Sequence, residues 1–379
     1  MREVRVIGTG LIRFGKFPEQ TLADLARPAI LTALAEAGVE RRRIDAAYCG
    51  TALGGMMAGQ RILKPLGMTS IPIANIENAC ASSATAFREA WIAVGAGVYD
   101  VALVLGVEKL TKLGGGPLPV EQEDWEAAYG LMMPALYAMR ARRYLHDHGV
   151  GPEVLAQVTV KAHRHGAKNA DAQDRREITL EEALSSRPIA EPLRRADCCP
   201  TGDGASAIVI AGADVARRLG RDGVRVVSST LTSGKYMTGF RDFTSPEITT
   251  RAAAQAYESA GVGPDDIDVA EVHDAFTIAE LLYYEALGFC PRGDAPKLLA
   301  DGATSVGGDI PVNPSGGLLS KGHPVGATGV AQIVEIVRQL EGRCDGRQVE
   351  GAKLGLAHVT GGGVSGLDHG ACAIHIFSR

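Results

Sequence analysis

The chain has 379 residues, of which 46% are hydrophobic and 22% charged, and its formal net charge is −5. This is the composition of a globular protein long enough for two or three packed units, and the slight acidic excess offers no basic face for nucleic acid. No run of about 18 apolar residues predicts a membrane span, and the start MREVRVIGTG lacks the apolar core of a signal peptide, so we expect a cytoplasmic protein. The seven cysteines are scattered without a CxxC pair, which argues against a metal site and against a disulfide framework.

A repeated frame organises the chain. Residues 33–45 read ALAEAGVERRRID and residues 256–268 read AYESAGVGPDDID, so Ala-Gly-Val and Ile-Asp recur in the same register. Each copy follows an amphipathic helix and precedes a strand-like stretch, and each half later holds a small-residue turn, a long helix and an apolar strand. Strands that alternate with helices predict mostly parallel α/β sheets. We therefore expect two similar α/β halves that arose by duplication.

A helical, charged segment interrupts the first half. Residues 112–195 resemble neither half, and the strand-like TGDGASAIVIAGAD then resumes the first one. We therefore divide the chain into an N-terminal half over 1–222, which carries this insertion, and a C-terminal half over 223–379. The insertion either serves as structural cover or forms a lid over a ligand, and its basic residues favour the lid.

Cys80 stands in NIENACASSATAFREA, where a strand-like run gives way to small residues that begin a helix. The dipole at a helix N-terminus lowers the pKa of a nearby thiol and favours the thiolate, and small neighbours allow a substrate to approach closely. The alternative is a buried structural cysteine. We adopt that interpretation for Cys198, Cys199, Cys290, Cys344 and Cys372.

His323 lies in KGHPVGATG, residues 321–329, at the matching strand-turn-helix position of the second repeat. Because Gly and Pro mark turns, the histidine either simply occupies a turn or is held there as a catalytic base. Equivalent turns of two like halves meet at their shared face. A cysteine and a histidine on facing turns form an activated nucleophile and its base, so we predict that His323 pairs with Cys80.

Four motifs resemble the thiolase superfamily in content and in order. They are NACASSATA around Cys80, EVHDAF at 271–276, NPSGGLLSKGHPVGATG at 313–329 and HVTGGG at 358–363. The resemblance covers essentially the whole chain, and the His-Asp-x-Phe motif is similar to that of sterol-carrier-protein-type and archaeal thiolases. It implies an α/β thiolase fold, with duplicated βαβαβαββ halves in a five-layer αβαβα arrangement and an inserted helical loop domain.

The resemblance also implies roles for single residues. Cys80 matches the nucleophile that becomes acylated, His323 matches the base that takes its proton, and His273 matches the residue that helps bind the thioester oxygen of the second acyl group. The N–H of Cys80 and one from the region of Gly361 would form an oxyanion hole, whose donors stabilise charge that develops in the transition state. Coenzyme A is then a substrate and not a permanently bound cofactor. The residues expected to contact it are Gly361, Gly362, Ser315 and Gly316.

The sequence departs from the resemblance at the second thiolase cysteine, which moves the proton on the α-carbon. Val359 occupies its usual position, and Ala275 occupies the position from which sterol-carrier-type relatives supply it. An acid/base within reach is still needed to make or quench the carbanion. His358 is the first candidate and His369 the second, and for each the alternative is a hydrogen-bonded core histidine.

Together these expectations indicate a thiolase-type acyl-CoA acyltransferase of lipid metabolism and degradation, which cleaves or forms a 3-ketoacyl-CoA through an acyl-cysteine. A retro-aldolase on the same fold is one alternative; it would cleave a 3-hydroxyacyl-CoA without acylating a cysteine, and the missing second cysteine favours it. A non-catalytic acyl-CoA-binding or lipid-binding relative is another, but it would have lost Cys80 or His323. The resemblance further implies a homodimer and a small OB-fold, zinc-ribbon partner subunit, and we expect no metal, nucleic-acid or membrane partner.

Overall fold

The computed structural model describes residues 1–114, 116, 118–119, 121, 123–236, 240–364 and 368–379. Four positions of the predicted insertion, Gly115, Pro117, Val120 and Gln122, lie outside the described residues. The strands are β1 (Val4–Leu11), β2 (Ala46–Gly50), β3 (Ile73–Ile76), β4 (Val101–Lys109), β5 (Pro188–Ala190), β6 (Leu193–Arg194), β7 (Asp203–Gly212), β8 (Val224–Thr232), β9 (Val269–Glu271), β10 (Leu354–Gly361) and β11 (Ala371–Ser378). The helices are α1 (Leu22–Ala37), α2 (Ala58–Leu63), α3 (Ser82–Gly95), α4 (Trp125–Ala128), α5 (Met133–His148), α6 (Glu153–Ala167), α7 (Leu180–Ser185), α8 (Ala213–Arg218), α9 (Glu247–Ala260), α10 (Thr277–Ala286), α11 (Ala295–Ala300), α12 (Gly317–Lys321) and α13 (Thr328–Leu340).

Within the described ranges, nine strands form one sheet in the order β3-β2-β4-β7-β1-β8-β11-β10-β9. The pairs β2–β3, β2–β4 and β9–β10 are parallel, whereas β7 and β11 run antiparallel to their neighbours. The two halves of the sheet meet where β1 pairs with β8 through Arg5–Arg225 and Val6–Val224. From this junction outward, β1-β7-β4-β2 and β8-β11-β10-β9 repeat the same order. The predicted duplication is therefore confirmed.

The repeated sequence frame lies in equivalent elements. Helix α1 connects β1 to β2, and α9 connects β8 to β9. Both helices end at a glycine with a left-handed backbone, Gly38 (φ 65°) and Gly261 (φ 71°), and a single 3-10 turn leads from each to the next strand. Glycine adopts this conformation without the steric cost that a side chain brings, which explains why Ala-Gly-Val recurs at both helix ends.

Helices α3 and α13 form a central layer between the two halves of the sheet. Phe87 of α3 and Val334 of α13 share one buried core with Val104 of β4 and Phe377 of β11. Helix α1 packs on the outer face of the N-terminal half and α9 on the outer face of the C-terminal half. This is the predicted αβαβα arrangement. It brings the N-terminal ends of α3 and α13 together in the middle of the molecule, beside the turns that precede them.

Between β4 and β7 the chain forms α4 to α7 and the β5–β6 hairpin. Tyr144 of α5 and Val158 of α6 pack with Leu281 of α10, so this segment covers the C-terminal half. The domain boundary placed between residues 222 and 223 stays a prediction. No helix in the described part of the chain is both long enough and apolar enough to cross a membrane.

Candidate functional site

Cys80 lies in a 3-10 turn, Ala79–Ala81, that leads directly into α3. Its neighbour Ala79 has a φ of 48°, a left-handed conformation that costs a non-glycine residue about 1–3 kcal/mol and that occurs preferentially at functional sites. Gly361 allows this turn to lie directly against the end of β10, because a Cβ at that position would stand 2.1 Å from the carbonyl oxygen of Asn78. The nucleophile turn is thus strained and closely packed.

His323 lies two residues ahead of the equivalent 3-10 turn, Val325–Ala327, which leads into α13. Its Nδ1 is 2.8 Å from Oγ1 of Thr328, and the Thr328 hydroxyl donates to the carbonyl of Pro324 at 3.1 Å. Because the hydroxyl proton is used there, the Thr328 oxygen accepts from Nδ1–H, which leaves the lone pair of Nε2 free. Nε2 is 3.3 Å from Sγ of Cys80 and can accept the thiol proton. The two side chains paired from the sequence are therefore in contact.

Burial sets the charge of this pair. It raises the pKa of the Cys80 thiol to about 12, although the backbone N–H groups of Gly362 and of Cys80 itself oppose the shift. Burial also lowers the pKa of His323 to about 3. The resting pair is therefore a neutral thiol and a neutral imidazole. The expectation that the helix dipole would maintain a standing thiolate is wrong, because desolvation of the sulfur outweighs it.

His273 completes a group of three with Cys80 and His323. The sulfur and one nitrogen from each ring all lie within 4.8 Å of one another, and the two imidazoles meet edge to face with 5.1 Å between ring centroids. Nδ1 of His273 has no hydrogen-bond partner although the residue is only 3% exposed. The Cys80 thiolate and two neutral imidazoles could ligate Zn²⁺, and a ring N–H of His273 can equally donate to a substrate oxygen.

His358 does not join this group. Its Nδ1 accepts from the backbone N–H of His273 at 3.4 Å, and its Nε2 is 3.1 Å from Oγ1 of Thr249. The ring is fully buried and packs edge-on against Tyr283. Because both nitrogens are engaged, the geometry gives His358 a positioning role towards the His273 loop and not the acid/base role expected from the sequence.

His369, the second candidate, pairs with the insertion. Its Nε2 is 2.8 Å from the hydroxyl of Tyr137 on α5. The Tyr137 ring stacks on Phe276 with 4.5 Å between ring centroids, next to the His-Asp-Ala-Phe motif. Behind this pair, Arg140 forms a buried ion pair with Asp368. The insertion therefore contributes buried polar groups close to the site.

Two of the residues expected to contact coenzyme A are enclosed in the core. The N–H and hydroxyl of Ser315 donate to the buried carboxylate of Glu271 at 3.0 and 2.6 Å. A Cβ at Gly316 would stand 2.6 Å from Cα of Gly166 on α6. Both positions are buried, so they leave no surface for coenzyme A, and that expectation is wrong. Gly361 and Gly362, in contrast, lie beside the nucleophile turn.

Sequence reasoning missed Glu108 and Thr328, which hold the His323 loop. The carboxylate of Glu108, at the end of β4, accepts backbone N–H groups from Ala52 at 2.8 Å and from Gly326 at 3.1 Å. It thereby fastens the loop that follows His323 to the N-terminal half. No local pattern marks this role, because its partners lie 56 and 218 positions away along the chain.

Family profiles match both halves of the chain. The profile described as "Thiolase, N-terminal domain" matches residues 4–214, and that described as "Thiolase C-terminal domain-like" matches residues 229–371. The chain belongs to the thiolase family. This thiolase is 41% identical to the "Acetyl-CoA acetyltransferase" of Methanothermobacter thermautotrophicus, with 100% of both chains covered. It is 42% identical to the "Benzoylsuccinyl-CoA thiolase subunit BbsB" of Thauera aromatica, over 96% of this chain and 95% of that one.

Among solved structures, this thiolase resembles the "Ltp2-ChsH2(DUF35) aldolase" with a TM-score of 0.84 and 28% identity, over 98% of this chain and 97% of that one. The resemblance to thiolases stated from the motifs is confirmed. The protein is an enzyme, a thiolase-type acyltransferase that uses coenzyme A as a substrate.

Proposed function

We propose that this thiolase cleaves a 3-ketoacyl-CoA with a second coenzyme A, or runs the same reaction in reverse, through an acyl group on Cys80. The observation that carries the proposal is the 3.3 Å contact between Nε2 of His323 and Sγ of Cys80, with the tautomer fixed by Thr328. A neutral thiol next to a correctly oriented neutral imidazole is an activated nucleophile and its base.

Acylation begins when Nε2 of His323 takes the thiol proton and the sulfur of Cys80 attacks the C3 carbonyl. The C2–C3 bond then breaks, so the shortened acyl group remains on Cys80. The acyl-CoA made of C1 and C2 leaves as an enolate that must gain a proton. The thiol of the second coenzyme A next gives up its proton and attacks acyl-Cys80. Cys80 departs as a thiolate and recovers its proton from His323.

The developing oxyanion needs donors that are already in place. The backbone N–H groups of Gly362 and Cys80 oppose the rise in the pKa of the Cys80 thiol, so we assign these groups as the donors to the acyl oxygen of the intermediate. His273 belongs to the same group, and a ring N–H of His273 would donate to the thioester oxygen of the other acyl group. These assignments support two oxygen sites, one on each side of the breaking bond.

A retro-aldolase reaction is the second candidate, because the structurally similar Ltp2 protein is described as an aldolase. In addition, Val359, at the usual position of the second thiolase cysteine, lies in an apolar cluster with Ala81. That reaction does not require a cysteine nucleophile. The contact between His323 and Cys80 has no use in it, so we favour thiolysis.

We further propose a homodimer, a small partner subunit and a role in acyl-chain degradation in the cytoplasm. An edge strand with exposed Ala74 and Asn75, β3, supports self-association, since unpaired strand edges readily pair with another chain. The DUF35 component of the Ltp2 structure supports the partner subunit. The seven cysteines are all free thiols, which suits a reducing compartment.

The test is to incubate the enzyme with 3-ketoacyl-CoA and 3-hydroxyacyl-CoA thioesters, with and without coenzyme A, and to identify the products by mass spectrometry. We expect two acyl-CoA products from a ketoacyl substrate, only when coenzyme A is present. Cys80→Ala should abolish this activity, whereas Cys290→Ala, at a partly buried cysteine outside the site, should not. Cleavage of a hydroxyacyl-CoA to an aldehyde or ketone, independent of coenzyme A and of Cys80, would establish the aldolase instead.

A further inference from the structure

The proposed thiolysis leaves one proton without a carrier. The enolate released on cleavage needs an acid at its α-carbon, and His323 already holds the proton from Cys80. Val359 is packed among apolar side chains, Ala275 offers only a methyl group, and both ring nitrogens of His358 are engaged. Given the proposed function, another group must supply this proton.

Residues 198–201 run between the two catalytic loops. The N–H of Cys199 donates to the carbonyl of Ala275 at 3.0 Å, and the N–H of His323 donates to the carbonyl of Pro200 at 3.3 Å. A parallel bridge also pairs Thr201 with His323. The backbone of Cys199 is therefore fixed to the loop that carries His273 on one side and to the loop that carries His323 on the other.

The pairing of this segment determines the direction of each cysteine. Cys198 and Phe276 form an antiparallel bridge, so Cys199 stands directly opposite Ala275. Residues that face each other across antiparallel strands lie on the same face, with about 4.5–5.5 Å between their Cβ atoms. Successive residues point to opposite faces, and Sγ of Cys198 points away to donate to the carbonyl of Arg194 at 3.3 Å. Cys199 therefore shares a face with Ala275, which is the position discussed above for a second cysteine.

The surroundings of Cys199 suit a proton donor. Burial, with smaller contributions from Cys198, Cys80 and Asp274, raises the pKa of its thiol well above the ordinary value, so at neutral pH it carries its proton. The residue nevertheless keeps some exposed surface, as Cys80 does.

We propose that Cys199 is the second catalytic cysteine of this enzyme, which exchanges the proton on the α-carbon. When the C2–C3 bond breaks, the electron pair on C2 takes the proton of the Cys199 thiol, and the first acyl-CoA leaves. The Cys199 thiolate then takes the proton of the incoming coenzyme A thiol, whose sulfur attacks acyl-Cys80. Each turnover thus returns Cys199 to its protonated form, and in the reverse direction the thiolate removes the α-proton of an acyl-CoA.

The experiment separates the two half-reactions. Acyl transfer to Cys80 is measured as the burst of coenzyme A released from acetyl-CoA and from a panel of longer acyl-CoA thioesters. Exchange of the α-proton is measured as deuterium uptake at C2 of the same thioesters in D₂O. We compare the wild type with Cys199→Ala, Cys199→Ser and the matched control Cys198→Ala. In both Cys199 variants we expect α-proton exchange and net thiolysis of acetoacetyl-CoA or longer ketoacyl-CoA to slow by at least about 100-fold, which is the rate contribution of a general acid/base. The burst should stay within about threefold of wild type, because acylation of Cys80 does not use this group. Cys198→Ala should keep both activities.

The proposal is overturned if both Cys199 variants still exchange the α-proton at the wild-type rate. It is also overturned if burst and exchange fall together in folded Cys199→Ser, since that pattern indicates a structural role. Loss of exchange in Tyr137→Phe, with exchange retained in both Cys199 variants, would likewise overturn it, because the acid/base would then be the Tyr137–His369 pair. A wild type that shows neither burst nor exchange with any thioester would refute the proposed function itself.

Discussion

Thr328→Val tests how His323 is oriented. Valine has nearly the shape of threonine but lacks the oxygen that lies 2.8 Å from Nδ1 of His323. The carbonyl of Pro324 would remain bonded, because the backbone N–H groups of Ala327 and residue 328 also donate to it, at 2.8 and 3.1 Å. The substitution therefore leaves one group without a partner, the buried Nδ1–H that fixes the tautomer.

The expected size follows from that one lost hydrogen bond. A buried polar group left without a partner costs about 1–3 kcal/mol. The imidazole can avoid this cost by moving its proton to Nε2, but it then presents a donor to Cys80 and can no longer take the thiol proton. At about 1.4 kcal/mol for each factor of ten, we expect acylation of Cys80 to slow by roughly 5-fold to 150-fold. Thr328→Ser keeps the oxygen and should stay within about threefold of wild type.

The assay is rapid-quench acylation with release of coenzyme A, alongside the midpoint of urea unfolding. The matched control is Thr249→Val, which removes a buried hydroxyl 3.1 Å from His358, a histidine outside the Cys80 group. It should destabilise the protein by a similar amount but leave acylation nearly intact. The reasoning is refuted if Thr328→Val acylates as fast as the wild type, or if the two valine variants slow acylation equally.

Three further predictions follow from the packing and charge of the site. Gly361→Ala places a Cβ 2.1 Å from the carbonyl oxygen of Asn78. The nucleophile turn must then move, so we expect acylation to slow by about 100-fold with an unchanged circular dichroism spectrum. An alanine variant of full activity would contradict the close packing. Burial lowers the pKa of His323, His358 and His375 to about 3, so below a pH of about 6.5, the pKa of a histidine in the unfolded chain, the unfolded protein binds more protons than the folded one. As the pH is lowered through about 6.5, the free energy of unfolding should therefore begin to fall, by up to about 1.4 kcal/mol per pH unit for each histidine. Equal urea midpoints at pH 7.5 and pH 5 would contradict this prediction. For the same reason the single-turnover acylation rate should show no acid limb near pH 6.5, and a limb at that pH would mean that His323 titrates like an exposed histidine.

The pairing of Cys80 with His323 was predictable because the chain repeats itself. Residues 33–45 and 256–268 mark equivalent helix ends, so the turns that follow later in each half also had to be equivalent. Two packed halves bring such turns together at their common face, where α3 and α13 meet. The architecture and the central pair thus follow from internal similarity together with motifs that are specific in combination.

The supporting residues were not predictable, because their partners are distant along the chain. Glu108 reaches Gly326 across 218 positions, and Cys199 faces Ala275 only because two loops pair in space. The protonation states could not be predicted from the sequence either, because they depend on burial. The position of Cys80 before a helix N-terminus favoured a thiolate, but desolvation of the sulfur raises the pKa of the thiol by more than the helix lowers it. Ser315 was expected to contact coenzyme A, yet its hydroxyl donates to the Glu271 carboxylate inside the core.

The central claim is that an acyl group is carried on Cys80. The most direct measurement is peptide mass spectrometry of enzyme that is mixed with a ketoacyl-CoA substrate identified in the panel and quenched before coenzyme A is added. We predict an acyl adduct on the peptide that contains Cys80, absent in Cys80→Ala and accumulating far more slowly in His323→Ala, with no adduct on Cys199. The adduct should disappear when coenzyme A is added, as the second acyl-CoA forms. Undiminished turnover by Cys80→Ala, or turnover by the wild type with no adduct on Cys80 at any time, would contradict the account.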